Sequence, residues 1–446
     1  MRLLILPLSV AALVVTPVFC QAGDTANNKT TVSSDVSNAS AAPNNSGAPA
    51  APITLEQAWR FAESANPALR QAQAQRAAAE GDAADANGLL WNNPKLSGER
   101  VRREVPQPGL DTENRREWAV GIEQTFEIAG QQGYRRKATQ QQLQALDASI
   151  EDTRREVRAE VERRFVQVLS LQERISTEHQ SLKIVEDTAV SVKKRVAAGE
   201  DSRLDGNLAS VEAVRARNQI GVLEEQLIQA RADLRATLQL PTNDLLTVIG
   251  SLTTPAPAYT LETLLARAAA RPLLRTLEHR EQAAQSRLSL ERAARYPDLT
   301  VGVATGREGS TAARERLTSV TISLPLPLFR ENGGAIGRAT TELSQAQIER
   351  QAATRNSNSN VAMLWQKLQS LTARADALQQ TILPALEENQ RLSVKSLQAG
   401  EIGLFQLLVV NRQVLDGRRD LIDAQTELRL TRITLHQTAG WTDTAQ

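Results

Sequence analysis

The side chains that most often bind metals or act as nucleophiles are scarce in this sequence. It contains three histidines and one cysteine. His179, His279 and His436 are far apart along the chain, and Cys20 lies near its start. None of them forms a pair with the spacing of a zinc or copper site. We therefore expect neither a metal site nor a cofactor in the chain.

Sequence motifs of catalysis are absent as well. Glycine-rich stretches occur at Gly130-Gln131-Gln132-Gly133 and at Asn332-Gly333-Gly334, but neither has the lysine and hydroxyl residue of a phosphate-binding loop. The sequence contains no nucleophile elbow and no metalloprotease helix. Both stretches follow an alternating segment and precede a helical one, so we interpret them as hinges. The sequence predicts a protein that is not an enzyme.

The elements around these hinges occur twice. Four landmarks recur in the same order with an offset of roughly 200 residues, namely Thr54 and Thr260, Pro67 and Pro272, Pro94 and Pro297, and Gly199 and Gly400. An internal repeat of this kind indicates a duplicated architecture. We place the first repeat at 53–240, a linker at 241–259, the second repeat at 260–440 and a short tail at 441–446.

The start of the chain has the pattern of an export signal. Met1-Arg2 is followed by an apolar stretch that ends at Phe19, and small residues come next. We expect a signal peptide at 1–22, with lipidation of Cys20 as the alternative way of processing. Residues 23–52 are rich in Ala, Asn, Ser, Thr and Pro, which predicts a disordered linker.

The composition favours long helices over compact domains. Aromatic residues make up only 3% of the chain, whereas Ala, Gln, Glu, Arg and Leu are common. The formal net charge is +1, and arginines are interleaved with acidic residues as on solvated helix faces. We therefore expect no nucleic-acid partner.

Each repeat contains two segments with a period of two, which is typical of strands with one apolar face. We predict strand pairs at 95–105 and 117–128, and at 298–307 and 318–327, joined by charged loops from Arg102 to Arg116 and from Arg307 to Arg316. Strands of about ten residues can span a membrane. Aromatic residues suited to a membrane boundary lie at their helix-side ends: Trp91, Tyr134, Tyr296 and Phe329.

Very long helices follow each strand pair. Apolar residues from Leu143 to Val196 recur at spacings of three and four, which indicates a coiled-coil seam. A straight helix from Tyr134 to Ala198 would be roughly 100 Å long. Gly199 and Gly400 are predicted to be the tips of two helical hairpins. The expected fold class is thus mainly α with a small β part.

Four strands in one chain cannot close a membrane barrel, because lipid would leave the backbone groups of both sheet edges unpaired. If the strands lie in a membrane, several copies of the chain must combine them in a cyclic oligomer. The alternative is a small soluble sheet that caps a helical bundle.

Several stretches together carry a family resemblance: Thr54-Leu55-Glu56-Gln57-Ala58 with Asn66-Pro67, Asn93-Pro94-Lys95-Leu96, Glu123 to Gly130, Leu324 to Phe329, and the tip glycines. In this order they resemble the TolC-like outer-membrane efflux proteins, and in detail the CzcC-type branch of heavy-metal efflux. The resemblance implies a homotrimer in the outer-membrane lipid of a Gram-negative bacterium. Its twelve-stranded β-barrel would continue into a helical tunnel across the periplasm. It also implies a periplasmic adaptor and an inner-membrane pump, of RND type, as partners.

The same resemblance implies functional residues at the hairpin tips. Adaptor docking would involve Gly199, Glu200, Gly400 and Glu401. Relatives with a known gate carry acidic side chains soon after the second tip, whereas Ile402 to Val409 contains none. The candidate residues of a pore constriction are therefore Asp201, Asp205 and Gln406. Alternatively, the two aspartates cap the start of a helix.

The expected function is a passive exit duct for substrates, heavy-metal cations by branch resemblance, that a pump and an adaptor deliver. Two alternatives remain. A soluble periplasmic coiled-coil adaptor or scaffold would also contain a helical hairpin, although adaptors carry one hairpin and this chain has two. A channel of the same fold could instead export drugs or organic compounds.

Overall fold

A computed structural model describes residues 52–241, 246–255, 257–309 and 313–441. The expected signal peptide, Cys20, residues 23–51 of the expected linker and residues 442–446 of the tail lie outside the described residues. The first repeat consists of α1 (Leu55–Ala65), α2 (Pro67–Ala86), β1 (Lys95–Gln107), β2 (Leu110–Phe126), α3 (Gln131–Ala198) and α4 (Arg203–Leu238). The second consists of α5 (Leu261–Ala269), α6 (Pro272–Ala293), β3 (Leu299–Gly309), β4 (Arg314–Ser323), α7 (Gly333–Ala377), a π-helical turn (Leu378–Ile382), α8 (Leu383–Gln398) and α9 (Leu404–Ala439).

The two repeats begin with the same local signals. The side-chain hydroxyls of Thr54 and Thr260 each accept a hydrogen bond from the N–H of the third helical residue, and the backbone N–H of each threonine donates to the side chain of that residue. This capping box satisfies two backbone donors that the first turn leaves free. Pro67 and Pro272 then occupy the first position of α2 and α6, where a missing N–H costs nothing.

The strands form one antiparallel sheet in the order β1-β2-β3-β4. Its central pair joins β2 of the first repeat to β3 of the second, with Ile122 opposite Val303. Strands β1 and β4 are the edges within this chain. The fold class predicted from the sequence, mainly α with a small β part, is confirmed.

The charged segments predicted to be loops are mostly strand, so that prediction is wrong. Arg102 lies opposite Arg116 and Arg103 opposite Arg115 in an unbroken ladder, and the turn that joins β1 to β2 contains Gly109 with φ of +80°. In the second repeat Arg307 is likewise paired with Arg316. A strand that continues beyond an apolar layer into water can carry charged residues on both faces. The high charge of these segments therefore did not distinguish a strand from a loop.

The predicted ends of two strands are also wrong. Strand β2 ends at Phe126 instead of 128, and β4 ends at Ser323 instead of 327. Pro325 and Pro327 have no N–H to donate to a ladder, which explains the earlier end of β4.

The core lies where α3 meets its neighbours. Val161, Phe165 and Leu169 of α3 pack in one cluster with Leu234 of α4 and Ile433 of α9. A second cluster joins α5, α7 and α9 around Tyr259 and Leu435. The seam predicted from spacings of three and four supplies much of the first cluster, which contains residues of both hairpins.

The outgoing helix of the second hairpin is interrupted next to Pro384. The π-helical turn Leu378–Ile382 stands between α7 and α8, and Pro384 follows it as the second residue of α8. Proline cannot donate the helical hydrogen bond and its ring crowds the preceding turn, and a π turn absorbs that mismatch.

Replacing Gly306 should destabilise the sheet. A Cβ at Gly306 would lie 2.5 Å from the carbonyl oxygen of Trp118, whereas one at Gly98 of β1 would meet nothing within 4 Å. We expect Gly306→Ala to lower the free energy of unfolding by about 1–3 kcal/mol and Gly98→Ala to change it far less. Urea unfolding in lipid vesicles, followed by tryptophan fluorescence, measures both; equal effects would contradict the close approach of β2 and β3.

Candidate functional site

Both hairpin tips end their outgoing helix in the same way. The N–H of Gly199 donates to the carbonyl of Val196 and that of Glu200 to Arg195; in the second tip Gly400 and Glu401 repeat this pattern. Gly199 has φ of +77° and Gly400 has φ of +76°. This left-handed conformation favours glycine, so each tip needs a glycine at this position.

The acidic residues of the first tip are engaged locally. An Asp201 carboxylate oxygen lies 3.1 Å from the guanidinium of Arg195, and little of the Asp201 side chain is exposed. Ser202 caps α4 by accepting from the N–H of Asp205, and its hydroxyl also bonds the Asp205 carboxylate at 2.6 Å. The residue that caps α4 is thus Ser202, and Asp205 lies in the first turn with its carboxylate bonded to that cap.

The second tip has fewer such contacts. Gly403 stands at the N-cap of α9 and makes no side-chain bond, and Gln406 is exposed in the first turn of that helix. Two apolar side chains at equivalent positions are also exposed, Leu204 to 76% and Phe405 to 67%.

A small apolar cluster and one buried ion pair hold the two hairpins together above the tips. Val192 of α3, Ala209 of α4 and Leu404 of α9 form the cluster. Farther from the tips, Arg419 of α9 donates to both carboxylate oxygens of Glu178 on α3, at 2.6 and 2.8 Å. The Glu178 side chain is only 1% exposed. Its hydrogen bond to Arg419 is the main reason that the pKa of Arg419 is raised.

Sequence reasoning missed this pair, although the pattern contains a signal for it. Ile175 and Leu182 of the predicted seam are seven residues apart, so Glu178 occupies the seam position between them. Leu415 and Ile422 enclose Arg419 in the same way. A charged residue at each of two seam positions is expected to find a partner of opposite charge, because an unpaired buried charge is costly.

A second group of buried charges lies at the other end of α9. The Arg155 guanidinium donates to the carbonyl of Gly440 at 2.9 Å, and that of Arg271 donates to the carbonyl of Thr438 at 3.1 Å. Burial lowers the pKa of both arginines and raises the pKa of the nearby Asp152 carboxyl. These contacts satisfy the last carbonyls of α9 and fix its end against α3 and α6.

The histidines are separate from one another in the structure. His279 bonds Gln141 at 2.8 Å, His436 bonds the hydroxyl of Tyr259 at 2.8 Å, and His179 is exposed. Within the described ranges, no group of three or more His, Cys, Asp or Glu side chains could hold a metal ion.

One face of the sheet is apolar and exposed. Cross-strand partners place Leu96, Ile122, Val303 and Val320 in one row across all four strands, and all four side chains are exposed. At the helix-side end, Trp91 is half exposed and stacks against the guanidinium of Arg135 at 3.8 Å. A wide apolar face without cover is typical of a surface that contacts lipid or protein.

Among the described residues, no helix combines the length and the apolar character that crossing a membrane requires.

Breaking the buried ion pair should loosen the two hairpins. Arg419→Met leaves the Glu178 carboxylate buried without a cation, and removal of one partner of such a pair costs about 3–5 kcal/mol. Arg418→Met is the matched control, because Arg418 pairs with Glu387 at an exposed site and such pairs contribute about 0–1 kcal/mol. The thermal midpoint of the purified protein in detergent measures both. A similar shift for the two variants would contradict the role of the Glu178 pair.

Comparison with known proteins agrees with this architecture. Residues 60–238 and 264–441 match the family described as "Outer membrane efflux protein", once in each repeat. The chain is 28% identical over 387 residues to the "Cobalt-zinc-cadmium resistance protein CzcC" of Cupriavidus metallidurans, covering 83% of this chain and 85% of that protein.

Solved structures share the fold. A crystal structure of CusC has a TM-score of 0.71 at 16% identity and covers 86% of this chain and 91% of CusC. The outer membrane protein VceC of Vibrio cholerae has a TM-score of 0.70 at 18% identity and covers 86% of this chain and 96% of VceC.

Family matches in both repeats exclude the adaptor alternative and an enzyme. The chain belongs to the outer membrane efflux protein family and is an efflux channel protein in the outer membrane of a Gram-negative bacterium, with its helical part in the periplasm.

Proposed function

We propose that the chain is the outer-membrane duct of a tripartite efflux system for heavy-metal cations. Three copies form the channel, and a periplasmic adaptor joins it to an inner-membrane pump of RND type. The observation that carries most weight is the likeness to the CzcC resistance protein along nearly the whole chain, because the name of that protein refers to cobalt, zinc and cadmium.

The sheet supports assembly from several copies. β1 and β4 have an unpaired edge within the chain, and the exposed apolar face requires contact with lipid. β1 runs away from the helices and β4 runs back toward them, so β4 of one copy can pair antiparallel with β1 of the next. Twelve strands then form a closed barrel without free edges.

The hairpin tips are the proposed docking points for the adaptor, with Gly199, Glu200, Gly400 and Glu401 at the turns. The second hairpin is the part that we propose to move during opening. No residue of α8 is buried, the N-cap of α9 is Gly403 and makes no side-chain hydrogen bond, and a π turn precedes α8. Segments with few buried contacts open at low free-energy cost.

The closed constriction is proposed to lie near the same tips, at Asp201, Asp205 and Gln406. Because Asp201 is paired with Arg195 and Asp205 with the Ser202 hydroxyl, neither carboxylate is a free charge in this state. Movement of the tips would release them toward passing cations, which carboxylates attract.

The second tip allows a direct test. Gly400→Val places a β-branched residue in the left-handed conformation, at a cost of about 1–2 kcal/mol, and should distort the turn. We expect reduced export while the oligomer still assembles. Gly403→Val is the matched control, since Gly403 has φ of −83° and a Cβ there meets nothing within 4 Å. Cellular accumulation of substrate and cross-linking of the oligomer give the two readouts; undiminished export by Gly400→Val would contradict the tip assignment.

The substrate class is tested in the cell. A strain that lacks this chain should be inhibited at lower cobalt, zinc or cadmium concentrations than its parent, and re-expression should restore the parental value. Organic toxicants provide the comparison, because a drug channel of the same fold is the alternative. Normal metal resistance together with greater drug sensitivity would contradict the proposed substrate.

A further inference from the structure

The outer part of the sheet separates its charges by face. Trp118 is two residues beyond Val120 on the exposed face of β2. The register places Arg100 and Arg307 on either side of Trp118, and Arg316 opposite Arg307. Farther out on the same face follow Arg102, Arg116 and Arg314. We call these six residues the arginine girdle: Arg100, Arg102, Arg116, Arg307, Arg314 and Arg316.

Acidic residues of the same segments lie mainly on the opposite face. Glu308 lies opposite Glu315, and Glu117 lies opposite Val101. Each of these acids is next to a girdle arginine in the sequence, and successive residues of a strand lie on opposite faces of the sheet. Other acids at positions of this opposite face are Glu99 and Glu113. The chain as a whole is nearly neutral, but its charges are divided between the two faces of the sheet. The face that carries the girdle, the outer face, is positive, and the opposite face, the inner face, is more acidic.

The arginine girdle is exposed and mostly without counter-ions. Arg102 lies 3.4 Å from Glu104, the acid on its own face. In the part of the chain that the structure describes, the other five arginines form no ion pair. By contrast, the inner-face arginines are paired, Arg103 with Glu117 at 3.5 Å and Arg115 with Glu113 at 2.9 Å.

Direct cross-strand neighbours of like charge repel each other. The girdle contains two such pairs, Arg102 with Arg116 and Arg307 with Arg316. Pairing of copies through β4 and β1, which rests on the proposed oligomer, would place Arg314 and Arg316 of one copy on the same face as Arg100 and Arg102 of the next. An external anion shared between neighbouring guanidinium groups removes this repulsion.

The position of the girdle relative to the membrane indicates which anion it can bind. From Phe126 at the helix-side end to Arg116 of the girdle is ten residues, or about 34 Å along a strand; a strand tilt of about 40° reduces this to a height of about 26 Å, close to that of the apolar band of a membrane barrel. Since the helices lie in the periplasm, the girdle lies at the outer boundary of the membrane. Phosphorylated glycolipid head groups occupy this level of the outer leaflet, and guanidinium groups bind phosphate in a two-pronged geometry.

We propose that the arginine girdle binds the phosphate groups of outer-leaflet glycolipid. Trp118 contacts the acyl chains just below, and the arginines above it bridge phosphates between neighbouring strands. The bound lipid compensates the repulsion within the sheet and anchors the channel at a fixed depth.

Native mass spectrometry of the purified full-length channel in detergent tests this proposal. The probes are diphosphorylated lipid A, its dephosphorylated form and inorganic phosphate. The wild-type channel should retain the phosphorylated lipid and release the dephosphorylated one. Arg307→Gln with Arg316→Gln should weaken retention about 30-fold, since each basic residue near an anionic lipid contributes about fivefold.

Arg103→Gln with Arg115→Gln is the matched control, because it removes an equivalent cross-strand pair from the inner face. Its lipid retention should equal that of the wild type. Equal retention of both lipids by the wild type would overturn the proposal even if the Arg307 and Arg316 variant fails to fold. Displacement of lipid A by equimolar inorganic phosphate would overturn the assignment to lipid. The same spectra report the number of copies, so failure of the oligomer is distinguishable from failure of lipid binding.

Discussion

The unpaired edges of a four-stranded sheet are the constraint on which the rest of the molecule depends. In water, β1 and β4 could each bond to solvent. In lipid, every N–H and C=O left without a partner costs several kcal/mol, so the sheet must be completed by other chains. The length of the strands, the exposed apolar row around Ile122 and the family membership all place this sheet in a membrane. The proposed assembly of several copies therefore rests on hydrogen bonding before any function is considered.

The arrangement of the long helices follows from the pairing of strands in that sheet. β2 and β3 pair across the two repeats, so the long hairpins that follow β2 and β4 start side by side. α3 then packs against α4 of its own hairpin and against α9 of the other, with Phe165 at the centre and the Glu178 pair nearer the tips. Below that pair, α8 contributes no buried residue. The contact between the hairpins is therefore largest around Phe165, in the middle of α3, and is reduced near the tips to the cluster of Val192, Ala209 and Leu404.

Much of this fold could be predicted from residue spacing. Repeated landmarks such as Pro67 and Pro272 indicated the duplication, and apolar residues at spacings of three and four indicated the seam. Charged residues were harder to place, because periodicity arguments follow apolar residues only. Arg102 to Arg116 resembled a loop for that reason, and Glu178 was passed over because it interrupts a run of apolar seam positions. Strand register and helix pairing, which place those charges, depend on contacts between distant parts of the chain.

The same limit explains why interleaved charges, taken from the sequence alone, predict a solvated helix face. On a helix, alternating arginine and glutamate distribute both signs around the axis. On a strand, side chains alternate between faces with a period of two, so the same alternation puts one sign on each face. Arg100 and Arg102 thus share a face, and Glu99 lies on the other. Local composition is identical in the two cases, and only the backbone conformation decides whether a neutral segment presents a neutral or a charged surface to the membrane.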